Sequence, residues 1–406
     1  MIGLTRIAER TDEALARAGT GRVVLAAAIS ALVLRCGWML VRPLPPDGDE
    51  QVYLNLAQNL AHNFRFSIEP GGPLEGHFGP AYPALQALFM TAGLPALMAG
   101  KAVSLIAGSL AAALVYPLGL RFWRRPSAAG IATLAAILHP GMIGASRHLY
   151  PEALSSLFLL LAVFSLTAGR RAGIACGASL AMACLTRREA VILVPIAVAL
   201  LLLRPAAHGP AETRRARIVQ AGALALTFAL LFGPYLVTIR VASGHWTLSS
   251  RTNYSWVVGR LMENRPGEGL PLEEIRNVEA IYPSPIDYIR ANPGKTAAAL
   301  ARSTWFHLKT AFTAWHSWPI GALALAGLAA LAGALMSRRL RVWPLPALLL
   351  PFVLTAAWST AGPILRYSKA LGPFVCLLAG ATVLLLPPRY EIGPAPAVRA
   401  RRDSEP

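Results

Sequence analysis

The chain has 406 residues, of which 55% are hydrophobic and only 14% are charged, and its mean hydropathy is +0.50. Soluble domains carry about 25% charged residues, so this composition excludes an ordinary soluble protein. The net charge of +18 does not indicate nucleic-acid binding, because the arginines cluster in short tracts between apolar segments. Such tracts set membrane topology by staying in the cytoplasm. We therefore expect an integral membrane protein whose partners include membrane lipids and no nucleic acid.

Apolar windows recur along the chain and predict an all-α polytopic membrane protein. A helix of about 20 apolar residues crosses the hydrocarbon core, and the run from Val23 to Val41 is too long for the apolar part of a cleaved signal peptide. The residues before it form either a short amphipathic helix on the cytoplasmic surface or a frayed tail. About ten spans are predicted by the length criterion: 22–41, 96–120, 128–145, 153–169, 172–186, 190–203, 218–238, 318–336, 342–358 and 370–386.

The arginine tracts predict a topology in which both chain ends lie in the cytoplasm. Residues 1–390 then form one transmembrane domain, and 391–406 form a cytoplasmic tail that we expect to be disordered. Two large segments, 42–95 and 239–317, lie outside the cytoplasm and contain most of the acidic residues. These segments are expected to form surface helices, and chemistry is expected on this outer face.

Charged residues near span ends refine this interpretation. Residues 172–203 are read as two short spans that meet at a polar turn around Arg187, because charges at mid-membrane are costly. Arg35, near the outer end of the first span, is expected to extend its guanidinium to the interface. No internal repeat and no acidic or histidine relay occurs in a span interior, which gives a secondary transporter little support.

The first outer segment opens with an acidic run, Asp47-Gly48-Asp49-Glu50, directly after two prolines. Asp47 or Asp49 would suit the N-cap of a helix that continues through Leu60 along the membrane surface. Capping is one interpretation of the run. The other is chemical, because a carboxylate at a membrane edge is placed to take a proton from an acceptor or to hold a metal beside a phosphate.

Four further short segments carry candidate functional groups. Glu75 and His77 are two residues apart in a Gly/Pro-rich turn and could ligate a divalent ion, although a lone histidine beside an aromatic residue is commonly structural. The others place cations on the outer face, against the positive-inside bias. A guanidinium matches phosphate oxygens bidentately, so these cations either bind the phosphate of a lipid-linked donor or contact lipid headgroups. They are Arg147, Arg187, Arg366 and Lys369.

In order and spacing, these segments resemble bacterial GT-C-type glycosyltransferases of family 39, the dolichyl-phosphate-mannose-protein mannosyltransferase-like group. The lipid A aminoarabinose transferase is a more distant relative of that group. Two positions depart from the pattern, since Phe78 stands where relatives carry a cation and Gly79 replaces a proline. The matching motifs are Arg35, Asp49-Glu50-Gln51-Val52-Tyr53, Gly79-Pro80-Ala81-Tyr82-Pro83, Pro151-Glu152-Ala153-Leu154, Leu185-Thr186-Arg187-Arg188-Glu189, Asn292-Pro293 and Arg366-Tyr367.

The resemblance implies the GT-C fold and a hexosyl- or pentosyltransferase in the bacterial inner membrane. It would move a sugar from a polyprenyl-phosphate donor to a protein, glycolipid or polysaccharide acceptor at the periplasmic or exterior face. The implied roles are Asp49 as catalytic base and Glu152 as the second acid near the donor. The implied contacts are Arg147, Arg187, Arg366 and Lys369 for phosphate, Glu50, Tyr53 and Tyr82 for sugar or acceptor, and His77 and His245 for a divalent metal ion that remains an open question.

This scheme is chemically coherent. A lipid phosphate is already a leaving group, so the site needs cations for that phosphate and one carboxylate to deprotonate the attacking hydroxyl. It does not need a nucleotide-binding G-x-G-x-x-G fingerprint, and none occurs. Two alternatives stay open from the sequence: a transporter or flippase of lipid-linked sugars, and a membrane assembly factor with a degenerate site.

Overall fold

The computed structural model describes residues 2–167, 172–204, 213–249, 252–262, 272–282, 284–313, 317–336, 345–358 and 364–386. Within these ranges the chain forms α-helices and short 3-10 helices and no strand, as predicted. The predicted tail lies outside them. The helices are α1 (Ile2–Ala18), α2 (Thr20–Val41), α3 (Asp49–Asn63), α4 (Ala81–Thr91), α5 (Ala96–Trp123), α6 (Pro126–Leu138), α7 (Pro140–Arg147), α8 (Glu152–Leu166), α9 (Ala172–Thr186), α10 (Leu193–Leu202), α11 (Arg214–Ser243), α12 (Thr252–Met262), α13 (Leu272–Ile281), α14 (Pro285–Ala291), α15 (Pro293–Thr313), α16 (Trp318–Met336), α17 (Leu345–Leu349), α18 (Leu354–Trp358) and α19 (Gly372–Gly380).

Five apolar helices in the described residues are long enough to cross a membrane: α2, α5, α11, α16 and the stretch Arg366–Leu385. A sixth span results if α6 and α7, which meet at 47°, are counted as one broken helix. Three more predicted spans are shorter apolar helices, namely α8, α9 and Leu345–Trp358. The prediction around residue 190 also holds, because a 3-10 helix (Arg188–Ile192) separates α9 from α10. The chain is a polytopic all-α membrane protein.

Small residues bring the spans of the bundle into close contact. An added Cβ at Gly177 of α9 would lie 2.5 Å from the carbonyl oxygen of Leu224 in α11. At Gly327 of α16 it would lie 1.8 Å from the carbonyl oxygen of Leu378 in α19. Backbones approach this closely where a glycine removes the intervening side chain, as is common between membrane helices. The bundle is therefore packed backbone against backbone at these two crossings.

The amino-terminal segment is helical, which decides between the two interpretations of it. Helix α1 lies against the start of α6, where an Asp12 carboxylate oxygen accepts a hydrogen bond from the Ser127 backbone N–H at 2.5 Å. The same carboxylate pairs with Arg125 at 3.5 Å. Leu4 and Ile7 remain exposed on the other side of α1. An amphipathic helix, rather than a frayed tail, precedes the first span.

The expectation that Arg35 extends to the interface is wrong. Its side chain is 1% exposed and donates to Ser146 Oγ at 3.1 Å, to the Ala31 carbonyl at 3.2 Å and to the Ala136 carbonyl at 3.3 Å. Ala136 is four residues before Pro140, and a proline has no N–H to donate to that carbonyl. The break between α6 and α7 thus supplies an acceptor that draws the guanidinium into the bundle.

The prediction that Asp47 or Asp49 caps α3 is also wrong, and the Asp49 side chain has a different partner. Gly48, with a φ of 53°, occupies the N-cap of α3, where no side chain caps the helix, and Asp49 is the first helical residue. The Asp49 carboxylate instead accepts a hydrogen bond from Arg366. Glu152 likewise begins α8, and Arg187 directly follows α9. Several helix ends therefore meet at one place and bring their charged residues together.

Candidate active site

A cavity of about 340 Å³ lies where these helix ends meet. Its volume is at the lower end of the range for small-ligand pockets. The walls come from the first large segment, from the ends of α8 and α9, from α12 and α14, and from the last 3-10 turn before α19. The residues that line it are Asp49, Tyr53, His77, Phe78, Gly79, Pro151, Glu152, Thr186, Arg187, Arg188, Glu189, Trp256, Val258, Pro285, Ile364, Arg366 and Tyr367.

Carboxylates and guanidinium groups alternate along one wall. Arg366 pairs with Asp49, and its Nε lies 3.9 Å from Glu152 Oε1. Arg187 Nη1 donates to the same Glu152 oxygen at 2.9 Å. Arg187 Nη2 lies 3.5 Å from Glu189 Oε1. Because both arginines converge on Glu152, that carboxylate fixes their spacing across the cavity.

Aromatic rings hold the two guanidinium groups from the other side. The Arg187 guanidinium carbon lies 4.0 Å from the centroid of the Tyr367 ring, and that of Arg366 lies 4.6 Å from the Tyr150 ring. A cation over an aromatic face is attracted by the ring's quadrupole, and a planar guanidinium also stacks on it. Both arginines are thus oriented by packing as well as by charge.

Neighbouring charges favour the ionised forms of Glu189 and Arg187 in this wall. Burial alone would raise the pKa of Glu189, but the neighbouring cations Arg187 and Arg188 outweigh burial and lower that pKa below its usual range. Burial would likewise lower the pKa of Arg187, yet Glu189, Tyr367 and Glu152 raise it above the ordinary value. Asp49 and Glu152 stand in the first turns of α3 and α8, where the helix dipole favours negative charge.

Three buried polar atoms of this wall have no hydrogen-bond partner among the described residues. They are Glu152 Oε2, Arg187 Nε and Arg366 Nε. Buried polar groups in folded proteins are nearly always hydrogen-bonded, and exceptions call for an explanation such as an absent ligand or water. An acceptor and two donors beside one cavity are suited to a ligand that carries both anionic oxygens and hydroxyl groups.

His77 also lines the cavity and is contacted by Arg188. The Arg188 guanidinium donates to the His77 carbonyl, and its Nη2 lies 3.2 Å from His77 Nδ1. Ser249 Oγ is also 3.2 Å from that nitrogen. The Glu75 carboxylate accepts a hydrogen bond from the His77 backbone N–H. His77 therefore lies in the cavity with the Arg188 guanidinium at its ring.

These residues do not form an evident metal site. Within the described ranges, no group of three or more His, Cys, Asp or Glu side chains could hold a metal ion. The guanidinium of Arg188 next to His77 Nδ1 would repel a cation approaching that nitrogen. His245 is exposed and does not line the cavity.

The cavity brings together six of the eleven residues predicted for the site: Asp49, Tyr53, His77, Glu152, Arg187 and Arg366. The other five do not line it. Glu50 is buried and accepts from His148 Nδ1 at 2.6 Å, and Tyr82 is buried with its hydroxyl 2.7 Å from Ser104 Oγ. Arg147 donates to the Arg42 carbonyl at 3.4 Å. Lys369 is buried behind the site, and His245 is the fifth.

Sequence reasoning did not select several residues that the cavity contains. Arg188, Glu189 and Tyr367 belong to the motifs that were recognised, and their position beside Arg187 and Arg366 was the available signal. Trp256, Val258 and Pro285 come from the second large segment, where the motifs are weakest. Only the cavity that they share with residues of the first segment reveals them.

The sequence matches no protein-family model and no curated protein. Solved structures do match. The Archaeoglobus fulgidus oligosaccharyltransferase in complex with Zn and sulfate is 16% identical, with a TM-score of 0.53 over 89% of this chain and 49% of that one. The oligosaccharyltransferase AglB of the same organism, in complex with an inhibitory peptide and a dolichol-phosphate, is 15% identical, with a TM-score of 0.56 over 90% and 50%.

A weaker similarity is to ArnT from Cupriavidus metallidurans bound to undecaprenyl phosphate, 14% identical with a TM-score of 0.45 over 90% of this chain and 78% of that one. The chain spans about half the length of the oligosaccharyltransferases it matches. Similarity at this level of sequence identity shows the fold alone, so the chemistry has to be argued from the residues of the cavity. The fold of this polytopic all-α chain is the GT-C fold.

Proposed function

We propose that the protein is a membrane glycosyltransferase that moves a sugar from a polyprenyl-phosphate donor to an acceptor hydroxyl. The observation that carries the proposal is the cavity wall on which Asp49, Arg366, Glu152 and Arg187 alternate in charge. It combines the two groups that such a reaction needs, cations for a leaving phosphate and a carboxylate for the attacking hydroxyl. The GT-C fold, shared with an oligosaccharyltransferase solved with dolichol-phosphate, supports the same reaction class.

The donor phosphate would bind to Arg366 and Arg187. In the starting lipid, the phosphate joins the sugar to the polyprenol and carries one negative charge. When the bond between the anomeric carbon and the phosphate oxygen breaks, the electron pair stays on that oxygen and the leaving phosphate gains a second negative charge. The two guanidinium groups are pre-oriented to stabilise this developing charge, and Glu152 holds them at a fixed separation.

Asp49 would act as the general base. Its carboxylate lines the cavity at the first turn of α3 and would take the proton from the acceptor hydroxyl as that oxygen attacks the anomeric carbon. A single displacement inverts the configuration at that carbon. Glu152 Oε2, which has no partner within the described chain, is placed to accept a hydrogen bond from a sugar hydroxyl.

The location of the reaction belongs to the same proposal. The arginine-rich segments predict that the cavity faces the periplasm or exterior of a bacterial inner membrane, where a polyprenyl-phosphate sugar is presented after it has crossed. Residues of the first and second large segments both line the cavity, and the predicted topology would put these two segments on one side of the membrane.

The test uses the purified full-length protein and Asp49→Asn. Wild type incubated with a radiolabelled polyprenyl-phosphate sugar and envelope extract should transfer label to an acceptor. The variant should lose about 100-fold or more in rate, since a general base contributes about 10²–10⁴-fold, while it still binds undecaprenyl phosphate. Full transfer by Asp49→Asn would contradict the assignment of the base, and no binding of undecaprenyl phosphate to the wild type would contradict the donor class.

A further inference from the structure

The cavity lining contains a tryptophan, Trp256, to which the proposed reaction gives no role. Trp256 lies on α12, is 7% exposed and lines the cavity together with Val258 and Pro285. The cavity is therefore lined by an indole as well as by guanidinium and carboxylate groups.

The indole is held in place by groups on its own side. The Arg260 guanidinium carbon lies 4.9 Å from the Trp256 ring centroid. Tyr288 presents its ring at 72° with a centroid separation of 6.3 Å, and Tyr282 packs edge-to-face against Tyr288 at 5.0 Å. A ring fixed in this way costs little conformational entropy when a ligand binds to it.

The hydrogen-bonding state of the Trp256 Nε1–H indicates that a ligand binds in this cavity. This atom is buried and has no hydrogen-bond partner in the part of the chain that the structure describes. Buried tryptophan N–H groups usually find a partner, and the exceptions call for an explanation. Glu152 Oε2 is a buried acceptor that also has no hydrogen-bond partner among the described residues, and Glu152 lines the same cavity. A ligand that lies between them would satisfy both.

Three kinds of ligand can be tested for how well their chemistry matches the groups that line the cavity. A lipid tail would cover the indole face but leave its N–H and Glu152 Oε2 unsatisfied. A phosphate would bind the arginines but gain nothing from an uncharged ring face. A pyranose ring has an apolar C–H face that stacks on an indole and hydroxyl groups at its rim that both donate and accept. Only the pyranose uses the ring face, the N–H and the carboxylate together.

We propose that Trp256 is the platform on which the pyranose ring of the donor stacks, with its phosphate on Arg366 and Arg187. One hydroxyl accepts from Trp256 Nε1–H and another donates to Glu152 Oε2. This inference rests on the proposed function, because it places the sugar next to the phosphate that the arginines bind. It makes Trp256 a sugar-binding residue that recognises the ring face rather than the chemical identity of one sugar.

The test compares lipids with and without a sugar. Dissociation constants are measured for undecaprenyl phosphate and for its glucosyl, galactosyl and mannosyl derivatives, by competition against labelled undecaprenyl phosphate in micelles. For the wild type we expect at least one glycosylated lipid to bind about tenfold or more tightly than the bare lipid, as a satisfied hydrogen bond and a stacked face together allow. In Trp256→Ala this ratio should fall to about one, with the affinity for the bare lipid unchanged, because the phosphate contacts remain.

Two further variants make the result specific. Trp256→Phe keeps a ring face but lacks the N–H, so its ratio should lie between those of the wild type and Trp256→Ala. Trp246→Ala is the matched control, since Trp246 belongs to the same segment, is 70% exposed and does not line the cavity; its ratio should equal that of the wild type. The unchanged affinity of each variant for undecaprenyl phosphate shows that it is folded.

An unchanged ratio in Trp256→Ala would overturn the inference, as would a wild type that prefers none of the glycosylated lipids over the bare one. If Trp256→Ala does not fold, an undiminished ratio in Trp256→Phe would overturn it. Failure of the wild type to bind undecaprenyl phosphate at all is a different result, because it contradicts the proposed function. The two failures are thus distinguishable in one data set.

Discussion

Two regions of the molecule bury arginine side chains, and they satisfy them in different ways. In the bundle, each of the three guanidinium nitrogens of Arg35 donates to a neutral acceptor, a serine hydroxyl or a main-chain carbonyl. In the cavity, Arg187 and Arg366 are paired with carboxylates and stacked on tyrosine rings. Their Nε atoms have no hydrogen-bond partner among the described residues.

The difference separates a structural arginine from two that are prepared for a ligand. Arg35 is fully engaged, and it compensates for a carbonyl that Pro140 cannot satisfy. Arg187 and Arg366 each have an Nε–H group next to the cavity that donates to no acceptor among the described residues. Burial alone would therefore be a poor guide to function here, whereas the chemical nature of the partners distinguishes the two roles. Substitutions in each region should separate activity from stability.

Among the buried arginines and their partners, the largest effect on lipid binding is expected for Arg366→Gln. Removing the guanidinium takes away one contact to the donor phosphate and releases Asp49 from its ion pair. We expect the dissociation constant for undecaprenyl phosphate to rise about 10- to 100-fold, because a hydrogen bond to a charged group contributes about 1.5–3 kcal/mol. The transfer rate should fall at least as far. Arg366→Lys should recover only part of the affinity, since an ammonium lacks the planar fork; unchanged binding in Arg366→Gln would contradict a phosphate role.

Glu152→Gln should affect both activity and stability. Glu152 is 1% exposed and is the common partner of Arg187 and Arg366, so its neutralisation leaves two buried cations less compensated. Removing one partner of a buried pair destabilises by about 3–5 kcal/mol, and we expect the isosteric glutamine to lower the Tm by less than Glu152→Ala does. The transfer rate should fall in both variants, and a fully active Glu152→Ala would rule out its positioning role.

Arg35→Gln should lower stability without altering the site. The substitution leaves the Ala136 carbonyl or the Ser146 hydroxyl short of a donor inside the bundle, and an unsatisfied buried polar group costs about 1–3 kcal/mol. We expect a lower Tm and an unchanged dissociation constant for undecaprenyl phosphate. Weaker lipid binding in a variant that remains folded would show that Arg35 is coupled to the cavity, which would break the comparison.

The smallest effect is expected for Glu189→Gln, whose effect on the Tm should depend on pH. Its pKa in the folded protein is lowered by Arg187 and Arg188 against the effect of burial, so its ionised form contributes stability above about pH 4.3, the ordinary pKa of glutamate. That contribution is lost as the pH falls through the lower pKa of the folded state. Glu189→Gln should therefore lower the Tm at pH 7, and the gap to the wild type should close in acid. A gap that does not depend on pH would contradict the ion pair.

The fold was largely predictable from sequence, and the site only in part. Apolar length is a local property, so the all-α polytopic architecture follows from it, although only five of the ten predicted spans are long, continuous helices in the described residues and a sixth is broken in the middle. The motif residues Asp49, Glu152, Arg187 and Arg366 meet as expected. Arg147 and Lys369 fit the same charge pattern but do not line the cavity, because charge sign and predicted side of the membrane do not fix the direction of a side chain.

The sequence by itself determined that the chain forms apolar helices long enough to cross a membrane, because hydrophobicity acts on each segment separately, and it predicted that carboxylates and cations gather at one side of the membrane. Tertiary structure alone decided which charges pair. Asp49 and Arg366 are 317 positions apart, and Arg35 and Ala136 are 101 apart, so no local pattern relates them. It also decided that Trp256 and Glu152 line one cavity, since the two residues are far apart in the chain and only the fold brings them to the same place.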